Sequence, residues 1–158
     1  MPQQKPGRSK QDYGTPPEFL NAVRRLLGIV EFDFDLAASD KNAVCPQYYT
    51  EKDDSLIQPW KVGNGWNWLN PPFAHMYPWV GKSAHAVNLE QAKTAVLVPA
   101  GVGSKWWAEC VDGIAYVHLL KGRLTFVGET TPYPKDCALL LYAPHVRGGY
   151  NVWDWRNQ

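Results

Sequence analysis

An α/β fold with a largely parallel central sheet is what the sequence predicts, on three observations. Strand-like apolar runs alternate with segments of helical spacing, the arrangement that βα units produce. Several of those runs, Thr94–Val98 above all, read as buried strands. The 158 residues, 45% hydrophobic and 20% charged, have the length and balance of one globular domain.

The elements follow in order. Residues 1–12, with Lys5, Arg8 and Lys10, read as a flexible basic arm ahead of a domain over 13–158. Thr15 with Glu18 forms a capping-box pattern, with Pro16 as a first helical residue. Phe19, Leu20, Val23, Leu26 and Leu27 then recur at helical spacing until Gly28 ends the helix. From Ile29 to Leu36, Val30, Phe32, Phe34 and Leu36 alternate with Glu31, Asp33 and Asp35, which predicts a strand ending at Asp35-Leu36. Residues 39–65 are polar and turn-rich. A short strand, Trp66–Leu69, runs into Asn70-Pro71-Pro72-Phe73, and a helix opens at Pro78. After Thr94–Val98, Ser104 caps a short helix ending near Gly113. Strands are predicted over Ile114–Leu120, Arg123–Val127 and Leu139–Tyr142.

Composition narrows the function. Cys45, Cys110 and Cys137 are far apart and form no Cys-x-x-Cys pair, which argues against a disulfide framework or zinc ribbon and for a reducing compartment. His75, His85, His118 and His145 show no metal-ligand spacing, so no metal is assigned. The N-terminus lacks the apolar core of a signal peptide and no stretch is long enough to span a bilayer, so a soluble, cytoplasmic protein is expected. A net charge of +1 gives no global basic field that would advertise nucleic acid. There are 8 Trp, and Trp106, Trp107, Trp153 and Trp155 read as core or rim packing ahead of base stacking.

The sharpest feature is Asn70-Pro71-Pro72-Phe73. Each proline biases the residue before it toward extended backbone, and Pro72 lacks the N–H that a hydrogen-bond ladder needs. The product is a stiff elbow at a strand end, with the Asn70 amide oxygen and the Pro71 carbonyl as acceptors and the Phe73 ring beside them. Two fixed acceptors and a flat ring suit a planar conjugated amine such as adenine's. Accepting both N–H bonds out toward the elbow helps that nitrogen to pyramidalise, while stacking holds the ring. Open α/β sheets bind ligands at the carboxyl ends of their strands, where this elbow lies. Asp35, at another strand end, is either a carboxylate for a cationic ligand or the solvent face of an alternating strand. Arg123 and Phe126 are candidate substrate contacts, to phosphate and to a flipped base, and each has a bland alternative in solvation or core packing.

From Asp12 to about Tyr142 the chain resembles the phage-type DNA adenine-N6 methyltransferases (Dam-like). Asn70-Pro71-Pro72-Phe73 resembles their catalytic motif. Asp12-Tyr13-Gly14-Thr15-Pro16-Pro17 resembles the motif that precedes the first helix and lines the S-adenosylmethionine (SAM) site, and Phe34-Asp35-Leu36-Ala37-Ala38-Ser39 is similar to the first-strand motif, whose acid lies near the methionine end of SAM. Gly122-Arg123-Leu124-Thr125-Phe126 is also similar to a segment of these enzymes, without an assigned role. The resemblance implies a single-domain Rossmann-like SAM-dependent methyltransferase acting on adenine N6 in DNA. Asn70, Pro71, Pro72 and Phe73 are then the catalytic elbow, and Tyr13, Thr15, Pro16, Asp35 and Ala37 are cofactor residues. Double-stranded DNA in a bacterial host's cytoplasm is the implied partner.

Two departures stand beside the likeness. Ala37-Ala38-Ser39-Asp40 contains no glycine where the first-strand motif normally enters a Gly-rich turn. Only about thirty residues separate Asp35 from Trp66, too few for the usual two βα units, so a reduced sheet is expected. The acid for the ribose or adenine of SAM is therefore open, with Asp54 the candidate and Asp53 its rival. Two other functions stay open: a SAM-dependent methyltransferase of RNA adenine or protein glutamine amide, and a non-catalytic nucleic-acid binding module that stacks bases on its aromatics.

Overall fold

The computed structural model describes residues 13–158, and the arm expected over residues 1–12 lies outside the described residues. The most apolar runs form the middle of one six-stranded sheet: β3 (Lys93–Pro99) lies against β5 (Cys137–Tyr142), with every residue of β5 buried. Around them are β1 (Phe34–Asp35), β2 (Trp66–Leu69), β4 (Tyr116–Leu120) and β6 (Gly149–Trp153), in the order β1-β2-β3-β5-β4-β6. The β1–β2, β2–β3 and β4–β6 pairs are parallel, whereas β5 runs against both β3 and β4. The sheet is thus mixed and mostly parallel, as expected, with one reversed strand.

Both faces are covered, which is why the central strands are apolar throughout. On one face α1 (Pro17–Leu27) packs Phe19 and Val23 against Trp68, Leu97 and Leu139. On the other, α2 (Met76–Glu90) and α3 (Lys105–Cys110) set Trp79, Val80 and Trp107 among the cluster that includes Val96, Val98 and Leu140. Successive residues of β3 and β5 alternate between these clusters, as the two-residue period of a strand requires. Trp107, Trp153 and Trp155 are core, as expected, while Trp106 is half-buried. The three cysteines are free and buried. No helix of the described residues is long and apolar enough to cross a membrane.

Four expectations are corrected. Thr15 does not cap α1: the helix starts at Pro17 with Pro16 in the N-cap place and no side-chain cap, because two successive prolines move the start one residue along. The strand expected over Ile29–Leu36 shrinks to Phe34–Asp35, and Val30 is 94% exposed. Its approach is irregular because Asp33 turns its carboxylate onto the 63–65 loop and accepts the Gly65 N–H at 2.7 Å. A Cβ on Gly63 or Gly65 would collide with that carboxylate, so any other residue there would displace Asp33 from the loop. Arg123–Val127 is not a strand. Leu124 and Phe126 point inward in alternation, but among the described residues the run is joined to other segments by just two backbone bonds, the Tyr133 N–H to Leu124 O and the Val127 N–H to Gly14 O. Finally α2 opens at Met76, ahead of Pro78, which the first turn tolerates because its N–H groups need no helical partner. The edge strand β6 had no counterpart among the sequence expectations.

Candidate active site

β2 lies between β1 and β3, so the residues after Leu69 emerge near the carboxyl ends of three parallel strands. There the chain turns through Asn70-Pro71-Pro72-Phe73. Asn70 is 8% exposed, and its Nδ2 donates to Tyr13 O at 3.2 Å and to Thr15 Oγ1 at 3.1 Å. A backbone carbonyl can only accept, so the Tyr13 contact fixes which end of the carboxamide is nitrogen. Both amide protons are thereby engaged, and no described donor reaches Oδ1. The amide is held as an acceptor.

Asp35 closes β1 opposite Trp68, two residues before Asn70. It is 2% exposed, which removes the solvent-face alternative. Its oxygens accept the N–H groups of Ala37 at 3.2 Å and Val44 at 3.1 Å, but no cation among the described residues pairs with it. Burial dominates those two bonds and pushes its carboxyl up from 3.8 to about 6. Asp35, Asn70, Tyr13, Thr15 and Ala37 line one tight cavity of about 10 Å³, together with Asn42, Val44 and Trp68.

Ala37 also lines a second, larger cleft of about 140 Å³ with Leu36, Thr50, Asp54 and Trp79. Here the two candidate acids separate. The Asp53 carboxylate accepts from Thr50 N at 2.8 Å and Thr50 Oγ1 at 3.3 Å, capping its own 3-10 turn. Asp54 makes no such cap and opens into the cleft, its backbone held at φ 54° between two short turns.

On the far side of the elbow lies an aromatic cluster. Phe73 meets Phe126 at 6.2 Å and Tyr133 at 5.6 Å between ring centroids, and Phe126 meets Tyr13 at 5.3 Å. Phe126 is buried beneath this group and does not line the neighbouring cleft, which suits support of the other rings better than direct base contact. That cleft, about 450 Å³, is lined by Phe73, Met76, Trp106, Arg123, Lys135 and Asp136 among others. Arg123 is exposed and pairs with Asp136 at 3.4 Å. Burial pushes the Tyr133 phenol up to about 12, so it is a neutral wall and no base near neutral pH.

The fold therefore gathers Tyr13, Thr15, Asp35, Ala37 and Asn70 in one place and puts Phe73 and Arg123 on one cleft. Pro16 and Pro72 line none of these cavities; Pro16 accepts the first N–H groups of α1 and Pro72 stiffens the turn. Sequence reasoning passed over Tyr133, whose place between Pro132 and Pro134 marks a rigid aromatic on a loop, and Asn42 and Val44, which carry no sequence signal. Among the described residues no group of three His, Cys, Asp or Glu side chains could hold a metal ion.

Comparison with known proteins bears on the same elements. The family described as DNA N-6-adenine-methyltransferase (Dam) matches residues 3–142. A DNA N-6-adenine-methyltransferase of Escherichia phage T1 is 27% identical over 113 residues, 72% of this chain and 46% of that protein. The chain thus spans about half the length of this curated relative. The matched region holds the Tyr13–Thr15 segment, Asp35, the Asn70 elbow and both clefts, and the chain belongs to the DNA N-6-adenine-methyltransferase (Dam) family.

Proposed function

We propose that the chain transfers a methyl group from S-adenosyl-L-methionine to the N6 amine of adenine in DNA. The observation that carries this reading is the Asn70 amide, with both protons tied to Tyr13 and Thr15 and its oxygen left to accept, beside a buried carboxylate that pairs with no cation among the described residues. The family and the phage relative's name point the same way. The reading treats residues 13–158 as one methyltransferase domain with a reduced Rossmann-like sheet, 1–12 as a basic arm, and a bacterial host's cytoplasm as the place of action.

The residues fit SAM. A carboxylate that burial holds near neutrality gains most from a positively charged ligand, and SAM carries an ammonium and a sulfonium. Asp35 and Ala37, with the backbone of the Tyr13–Pro16 segment, would hold its methionine end, and Asp54 its ribose or adenine in the adjoining cleft. When bound, SAM supplies an electrophilic methyl group.

The chain's own work is done at the target nitrogen. Asn70 Oδ1 and Pro71 O accept hydrogen bonds from the two N6 N–H groups, turning the lone pair out of conjugation with the ring. The same two oxygens stabilise the positive charge that develops on nitrogen, and they need no reorganisation because the elbow is already fixed. Phe73 stacks on the extruded base, a contact of about 1–3 kcal/mol, against an unstacking cost of a few kcal/mol. The surplus proton on N6 leaves to water, so no strong base is required. Arg123, on the rim of the 450 Å³ cleft, is placed for a phosphate.

Parallel incubation of the chain and labelled SAM with duplex DNA, RNA and protein tests the proposal. Label in DNA adenine is expected. Label confined to RNA or to glutamine amides would move the substrate, and no SAM binding by calorimetry would leave a nucleic-acid binding module.

A further inference from the structure

The run Gly122–Phe126 resembles a segment of related enzymes without revealing its purpose, and the geometry assigns it one. Val127, next to it, donates its N–H to Gly14 O at 3.0 Å in an isolated antiparallel bridge. The approach is close: a Cβ on Gly14 would sit 3.1 Å from Val127 Cβ. One residue back, the buried Phe126 ring packs on Tyr13 at 5.3 Å and meets Phe73 at 6.2 Å. Gly14 is flanked by the two acceptors that engage both protons of Asn70 Nδ2, Tyr13 O and Thr15 Oγ1. Thr15 is 8% exposed and caps nothing, so its hydroxyl is available for this contact.

We infer that Phe126 and Val127 brace the Tyr13–Thr15 segment, and that this segment, through Thr15 as a positioning residue, locks Asn70 as an obligate hydrogen-bond acceptor. The inference rests on the adenine methyltransferase reading. An asparagine left free offers either its oxygen or its NH₂ to a ligand, and can therefore greet a base amine or a base carbonyl equally well. Tied at both protons, it offers only oxygen, so the elbow accepts an amine and repels an oxo group. The segment before the first helix, expected to cap that helix and to line the cofactor site, thereby sets the chemistry at the target base. Thr15 is assigned to Asn70, and SAM affinity does not depend on its hydroxyl.

Thr15→Val keeps the shape and removes the acceptor, whereas Thr15→Ser keeps the acceptor. Turnover on duplex DNA, SAM Kd by calorimetry, and the side-chain ¹⁵N–¹H resonances of Asn70 are measured for both, with thermal melting to confirm folding. Thr15→Val is expected to lower kcat about 10- to 100-fold, as loss of one buried hydrogen bond allows, with SAM Kd within about threefold. One Asn70 Nδ2 proton should shift and exchange faster, and Thr15→Ser should restore both readouts to within a few-fold. Gly14→Ala, which presses on Val127 without touching Asn70, should lower kcat several-fold in the same sense. The brace is overturned if Thr15→Val turns over within twofold of the parent, if its loss lies wholly in SAM affinity, or if the serine does no better than the valine. A parent chain that methylates no adenine overturns the functional reading, and the brace with it.

Discussion

Asp35 and Asn70 lie at the ends of neighbouring parallel strands, and their side chains answer opposite demands: one pairs with no cation among the described residues, the other is committed to accepting hydrogen bonds. The pH behaviour of Asp35 follows with a definite sign. Burial pushes its carboxyl up to about 6 in the folded chain, against 3.8 for a free carboxyl. Between those values the folded chain binds more protons than the unfolded one, so this group favours folding in acid and ceases to do so as pH rises through 6. The difference is about 3 kcal/mol at most. On the proposed reading SAM binding needs the ionised form, so its Kd should weaken roughly tenfold per unit as pH falls below 6. Calorimetry between pH 5 and 8 checks this, and Asp35→Asn should bind SAM weakly and without that slope. A flat profile in the parent chain would remove Asp35 from the cofactor site.

Among the elements, the turn that carries Asp54 is held from α2. Lys82 donates to Leu56 O at 2.9 Å and to Ser55 O and Gln58 O, and lies 5.1 Å from the Trp60 ring centroid. Burial lowers its pKa, but three carbonyl acceptors suit the charged form. Lys82→Met is expected to cost about 2 kcal/mol in urea unfolding and to weaken SAM several-fold by loosening Asp54. Unchanged affinity would place the cofactor away from that cleft. Legibility from sequence also divides at this level. α1, its stop at Gly28, β3, β5 and the Asn70 elbow were readable because local stereochemistry and burial on both faces dictate them. Thr15 was misread as a cap because Thr-x-x-Glu is a local pattern, whereas its partner Asn70 is 55 positions away. β6 escaped notice because Tyr150, Asn151 and Val152 are exposed on an edge strand and carry no inward apolar period. Arg123–Val127 alternates like a strand but lacks a neighbour along its length, which no local pattern reveals.

For the molecule as a whole, the elbow puts Asn70 on the tight cavity and Phe73 on the 450 Å³ cleft, while the charge is only +1. DNA affinity should therefore rest on few phosphate contacts, and its salt dependence should be shallow. Arg123→Ala should reduce the slope of log K against log salt by about one, since its ion pair with Asp136 is exposed and contributes little to stability. An unchanged slope would take Arg123 out of the DNA contact. On the proposed reading the Asn70 amide oxygen activates an adenine amine at a site where SAM binds independently. The most direct test compares the parent chain with Asn70→Ala, reading SAM Kd by calorimetry and N6-methyladenine by mass spectrometry of digested duplex DNA. The parent should yield N6-methyladenine, and the variant should lose at least about 100-fold of it with SAM Kd within about threefold. Methylation that persists in Asn70→Ala, or a loss that tracks SAM affinity, would contradict that reading.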